Sequence, residues 1–229
     1  MIYLIVLIIL MVVIYYSIEL QHKKHKTSLE KDGFVKLGNI PRGSVLKYLP
    51  NNYVFIDYIY TIKGCSLSTF HRDVTSSQYI FKTKHPTYTY IRYHNTGPHL
   101  SVCPGSHKTT PYLFSIPVTI TGKKHDSYLF NCDLVHAGAI NSFGKKRYVE
   151  QYKIVHQEDL EKLGHLKGIR KHKIGECNIS LPYEIFTRKL SIYFSYLSNH
   201  ILTPYLQKNN NNLVNKIMIY CYGRSFYNM

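Results

Sequence analysis

The chain has 229 residues, enough for one ordinary domain plus additions. Hydrophobic residues make up 45% of it, which excludes a disordered chain, and a formal net charge of +16 favours anionic partners such as lipid headgroups or acidic substrates. The five cysteines (Cys65, Cys103, Cys132, Cys177, Cys221) form no CxxC pair, which argues against a zinc ribbon or a dithiol redox motif and fits reduced thiols.

Residues 1–18 carry no charged side chain and are nearly all Ile, Leu, Val, Tyr and Met. As a helix they would reach about 27 Å, enough for a bilayer core, with Tyr15 and Tyr16 at the interface. A basic n-region and small residues at a cleavage site are missing, so the segment reads as a transmembrane anchor rather than a signal peptide. Residues 19–29 form a basic juxtamembrane linker. Its His22-Lys23-Lys24-His25-Lys26 run suits anionic headgroups and, by the positive-inside rule, predicts a single-pass protein with a cytoplasmic body.

Glu30 to Leu37 predicts a helix end turning at Gly33 into a short strand. Tyr53 to Tyr60 is a strand-forming run. Further strand-like runs are Gln78 to Lys82, Tyr88 to Tyr93, Leu100 to Cys103, Ile116 to Thr121, Ser127 to Phe130 and Tyr148 to Val155. Turn residues separate them, including Asn95-Thr96-Gly97-Pro98, Pro104-Gly105-Ser106 and Asn141 to Gly144. Short strands at this spacing predict an all-β sandwich or barrel over residues 30–157. Residues 158–229 read as a helical extension, with Pro182 to Leu206 packed on the body or lying in a membrane interface. Asn209 to Asn212 is a low-complexity linker.

The chemistry-bearing residues are His71, Asp73, His136 and Arg147. A His-x-Asp on an extended segment directs both side chains the same way. A distant histidine completes the two-imidazole, one-carboxylate face that binds iron(II) and leaves open positions. An arginine supplies a fork for a carboxylate. Arg147 follows His136 by 11 positions, and a hairpin through Asn141 to Gly144 would set the two strands side by side. With 13 histidines in the chain, this spacing is also what an ordinary surface histidine and an N-capping aspartate would give. Basic stretches such as Lys167 to Lys173 come without an RNA-binding signature, so nucleic acid is not the expected partner.

The surrounding words occur in a defined order: Asp32-Gly33-Phe34-Val35, His71-Arg72-Asp73, Val102-Cys103-Pro104-Gly105-Ser106-His107-Lys108, Val135-His136-Ala137-Gly138-Ala139-Ile140-Asn141, then Lys146-Arg147. Over residues 30–155 the chain resembles the phytanoyl-CoA dioxygenase-like branch of the iron(II)/2-oxoglutarate oxygenases. The resemblance implies a mainly β chain: a double-stranded β-helix (jelly-roll) core with flanking helices. It implies His71, Asp73 and His136 as iron ligands and Arg147 as the anchor of 2-oxoglutarate. It also implies use of O2 and release of succinate and CO2, with Asp73 as third ligand favouring hydroxylation over halogenation. Many members carry Ser or Thr two positions after the distal histidine, where this chain has Gly138. His107 is expected to be a structural turn residue; Tyr79, Tyr90 and Tyr152 are candidates to line the pocket or hydrogen-bond the 2-oxo acid, with core packing the expected role of each. Anchoring points to a small-molecule, lipid-derived or membrane-associated substrate. The alternatives are a non-catalytic protein on an oxygenase-like barrel and a basic membrane-surface or nucleic-acid-binding module.

Overall fold

A computed structural model describes residues 2–16, 20–21, 26–64, 68–109, 116–140, 146–174 and 182–196. In chain order these form helix α1 (Ile2–Tyr16) and strands β1 (Leu20–Gln21), β2 (Phe34–Gly38), β3 (Tyr53–Phe55) and β4 (Tyr58–Gly64). The short helix α2 (Gln78–Phe81) precedes β5 (Tyr88–Tyr93), β6 (Gly97–Val102), β7 (Val118–Gly122), β8 (Ser127–Asn131), β9 (His136–Gly138), β10 (Arg147–His156) and β11 (Ile169–Ile174). Helix α3 (Pro182–Tyr196) ends the described chain.

The strands make two sheets, in the orders β1-β7-β6-β9 and β11-β4-β10-β5-β8-β2, with β3 also paired to β10. This is a mainly β architecture consistent with a jelly-roll-like core. The apolar residues alternate as strands in two packed sheets require. Phe34, Ile91, Tyr93, Leu100, Val102, Phe130 and Val149 come from both sheets and form one buried cluster. A second cluster, with Val45, Tyr90, Leu129 and Ile154, covers the opposite face of the larger sheet. Strand β8 contributes to both and is buried along its whole length.

Four expectations change. The run Gln78 to Lys82 holds a helix over Gln78–Phe81 rather than a strand, because the Asp133 carboxylate holds the Ser77 hydroxyl and the Gln78 amide (2.9 Å for the amide) at the helix start. Residues 29–32 form a turn, not a helix end, and Gly33 lies in the left-handed region at φ +83°. The basic run Lys167 to Lys173 contributes β11, which pairs in parallel with β4 inside the stretch expected to be helical. Finally, β9 and β10 belong to different sheets and make no hairpin ladder; residues 141–145 lie outside the described ones.

The transmembrane anchor expected over residues 1–18 is not supported by the described helix. Helix α1 has 15 residues, a length of about 22 Å, short of the roughly 30 Å hydrocarbon core. Among the described residues no helix is long and apolar enough to cross a membrane. Residues 19 and 22–25 of the basic linker, and the Asn209 to Asn212 linker, lie outside the described residues.

Candidate metal centre

The segment Thr69 to Asp73 runs along the free edge of β9. His71 and His136 exchange both backbone hydrogen bonds at 2.9 Å, an isolated antiparallel bridge that sets their side chains beside each other. The Asp73 amide donates to the Cys132 carbonyl at 2.8 Å, fixing the carboxylate end of the same segment to the loop after β8. Donor atoms of His71, Asp73 and His136 therefore lie within 4.8 Å of one another. The Nε2 atoms of His71 and His136 are 4.0 and 3.7 Å from Asp73 Oδ1.

The remaining atoms of the three side chains are each held. His71 Nδ1 lies 2.8 Å from the Thr69 carbonyl and His136 Nδ1 lies 2.9 Å from the Leu134 carbonyl. A carbonyl only accepts, so each Nδ1 carries a proton and each Nε2 is the ring nitrogen turned toward Asp73 Oδ1. Asp73 Oδ2 accepts from Lys153 Nζ and from the Thr89 hydroxyl, both at 2.6 Å, which leaves Oδ1 facing the imidazoles. Burial holds the His136 pKa down to about 4, with Asp73 opposing and His71 reinforcing the shift. Burial would raise the Asp73 carboxyl, but Lys153, His136 and His71 outweigh it and hold it well below the usual carboxylate range. A neutral His136 beside an ionised Asp73 carboxylate is the form a metal ion needs.

These residues line a cavity of about 430 Å³. Ile91, Leu100 and Val149 give it an apolar wall, and Arg147 and Lys153 enter from alternate positions of β10. Arg147 is 5% exposed and donates to the Ala139 carbonyl at 3.1 Å. Its guanidinium fills the space beside Gly138: a Cβ there would lie 2.1 Å from Nη1. The absence of a Cβ at Gly138 is what lets the arginine lie against β9.

The segment before His71 is clamped from outside by α3. Ser191 Oγ accepts from the Phe70 amide at 2.7 Å, and Ile192 packs with Phe70, Val135 and Ala137. Arg188, fully buried, donates to the Ser68 carbonyl and, at 2.9 Å, to the Gly138 carbonyl, with its guanidinium 4.6 Å above the Phe70 ring. Arg72 points away from the cavity and donates to the carbonyls of Ser106 (3.0 Å) and Thr109 (2.6 Å), tying the ligand segment to the Pro104-Gly105-Ser106 turn. His107 is a turn residue: its Nε2 meets the Glu30 carbonyl at 3.1 Å and its ring lies against Gly33. The cavity tyrosines are Tyr58, Tyr60 and Tyr93. Tyr79 instead donates to the His107 carbonyl, while Tyr90 and Tyr152 pack in the cluster on the opposite face of the larger sheet.

Solved structures align with this chain at low similarity. The non-heme alpha ketoglutarate dependent epimerase SnoN from nogalamycin biosynthesis aligns with 13% identity and a TM-score of 0.40, over 56% of this chain and 79% of its own. HygX from Streptomyces hygroscopicus, solved also with nickel and 2-oxoglutarate, aligns in its apo form with 12% identity and a TM-score of 0.39, over 55% and 83%. The non-heme monooxygenase ThoJ aligns with 10% identity and a TM-score of 0.39, over 69% and 73%. Likeness at this level carries no argument about the chemistry of this chain, which rests on the side chains above. No family model and no curated protein matches the sequence.

Two contributors escaped the sequence. Lys153 sits in a run that reads as plain strand, although Arg147, Gln151 and Lys153 put polar groups on the cavity face at period two. Arg188 is 52 positions beyond His136, on a helix read only for its apolar spacing.

Proposed function

We propose that the protein is an iron(II)- and 2-oxoglutarate-dependent dioxygenase of the phytanoyl-CoA dioxygenase-like branch. It would hydroxylate a small-molecule or lipid-derived substrate with release of succinate and CO2. The observation that carries this reading is the set of three donors within 4.8 Å, with each side chain's other polar atom already engaged. Two neutral imidazoles and one carboxylate suit iron(II) with positions left open. Bound there, iron would supply the O2 chemistry and 2-oxoglutarate the reducing electrons.

The chain's own groups account for cosubstrate placement. Gly138 is two residues from His136 on one strand, roughly 7 Å along it, and the Arg147 guanidinium lies against Gly138. That separation suits a five-carbon diacid chelating the metal at one end and meeting the arginine fork at the other. The apolar wall of Ile91, Leu100 and Val149 keeps water from the reacting atoms. Lys173 adds a cation to the lining, which suits an anionic substrate.

Association with a membrane belongs to the same proposal. The side chains from Tyr3 to Val13 are exposed and nearly all aliphatic, and the sequence continues into the basic His22 to Lys26 run, which suits anionic headgroups. A non-catalytic barrel would leave the three ligands apart, and a nucleic-acid-binding module gives no reason for a buried two-histidine, one-aspartate cluster. The test is succinate production by the purified chain with iron(II), 2-oxoglutarate and O2. Wild type is expected to bind iron and turn over 2-oxoglutarate, and His71→Ala to lose both. A wild-type chain that binds no iron overturns the proposal.

A further inference from the structure

We infer that Lys153 is a positioning residue of the metal centre, fixing Asp73 as a one-oxygen ligand and cancelling its charge. The inference rests on the reading of His71, Asp73 and His136 as metal ligands. Lys153 lies in the middle of the larger sheet, on β10 opposite Thr89 of β5, and is 2% exposed. An ammonium in such a place requires acceptors. It has three: Asp73 Oδ2 at 2.6 Å, Thr89 Oγ1 at 2.8 Å and Cys132 Sγ at 3.6 Å. Thr89 in turn donates to the same Oδ2 at 2.6 Å. Ammonium, hydroxyl and carboxylate oxygen thus close a triangle in which Oδ2 takes two donors.

Two consequences follow. With Oδ2 held, Asp73 can offer a metal only Oδ1 and cannot turn to chelate through both oxygens. One coordination position stays open that a free carboxylate would take. The charge balance also changes. Two neutral imidazoles and a carboxylate give a divalent site a net charge of one, whereas the buried ammonium restores it to two. A doubly negative 2-oxo diacid then meets a fully cationic centre, with Arg147 at its far end. Lys153 therefore favours cosubstrate binding over tighter holding of the metal.

Cobalt(II) substituted for iron reads this directly, because its visible absorption reports coordination number and is independent of turnover. In Lys153→Met the cobalt is expected to remain bound, with an altered spectrum as Asp73 becomes two-oxygen. Affinity of the cobalt form for 2-oxoglutarate should fall about 10- to 100-fold, the scale on which partners of metal ligands act. Lys153→Gln keeps a donor without the charge: it should retain the wild-type spectrum yet lose part of the cosubstrate affinity. Should Lys153→Met fail to fold, Thr89→Val removes the other Oδ2 donor and should shift the spectrum in the same direction. Wild-type spectrum and wild-type 2-oxoglutarate affinity in the folded variants would overturn the role of Lys153. Failure of the wild-type chain to bind cobalt, with His71→Ala indistinguishable from it, would instead overturn the metal-site reading.

Discussion

Gly138→Ala puts the anchoring role of Arg147 to a direct test. The added Cβ would sit 2.1 Å from Nη1, 2.6 Å from Cζ and 2.8 Å from Nη2 of Arg147. An ordinary contact begins near 3.4 Å, so the guanidinium must retreat by about 1.3 Å. The backbone of β9 cannot give way, because it carries His136 and is paired to β6 through Leu100, Ser101 and Val102. The arginine tip is the part that moves, and in moving it loses its bond to the Ala139 carbonyl. A buried charge-assisted hydrogen bond is worth about 1.5–3 kcal/mol, which corresponds to roughly 10- to 150-fold in affinity if the fork is carried off the cosubstrate carboxylate. Titrating 2-oxoglutarate into wild type, Gly138→Ala, Arg147→Ala and the double variant isolates the coupling. Gly138→Ala should be costly with Arg147 present and nearly neutral once Arg147 is gone. An equal cost in both backgrounds would refute the steric account of Gly138.

Two further outcomes follow from the same contacts. Arg188→Met keeps the stem of the side chain but removes the bonds to Ser68 and Gly138; it should cost about 1.5–3 kcal/mol in denaturant unfolding and weaken metal binding, because the segment before His71 is released. Wild-type stability would show that α3 does not clamp that segment. The metal-free chain should also lose stability as pH falls. The pKa values of His136 (down to about 4) and His99 are both lowered by burial, so the unfolded chain binds more protons from about pH 6.5 downward. Asp73, held below its ordinary range, adds to the loss below about pH 3.8, where its unfolded form takes up a proton. A denaturation midpoint that stays flat between pH 7 and 4 would contradict this.

The side chains that meet in the cavity could be picked out in the sequence because each stands in a short word of fixed order: His71-Arg72-Asp73, Val135-His136 and Lys146-Arg147. What supports them was not, because support acts through contacts between distant segments. Arg72 looks unexplained in sequence and becomes a tie to Ser106 and Thr109 only when the chain folds. Gln78 to Lys82 has strand-forming residues, yet the carboxylate of Asp133, 55 positions away from Gln78, makes it a helix. β11 is rich in Lys and reads as surface, but at an edge the alternate side chains remain exposed and the backbone still finds β4. Tyr53 to Tyr60 reads as one strand and is two, since the Ile56 amide turns to the Lys153 carbonyl while the Tyr58 amide closes back on Ile56.

Strand β10 explains why a small set of residues can build the whole centre. Arg147 and Lys153 are six positions apart, roughly 20 Å along the strand, and both face the cavity because the interval is even. Their long side chains bring charge to opposite ends of the β9 segment, the guanidinium at Gly138 and the ammonium at the carboxylate that faces His136. A register slip of one residue would turn both away together. The slip is resisted by pairing on both sides, to β4 and to β5, and by Val149, buried in the inter-sheet cluster on that same face. The Arg147 guanidinium and the Lys153 ammonium are thus held in fixed relation by one strand, so a change that loosens β10 at either end disturbs both.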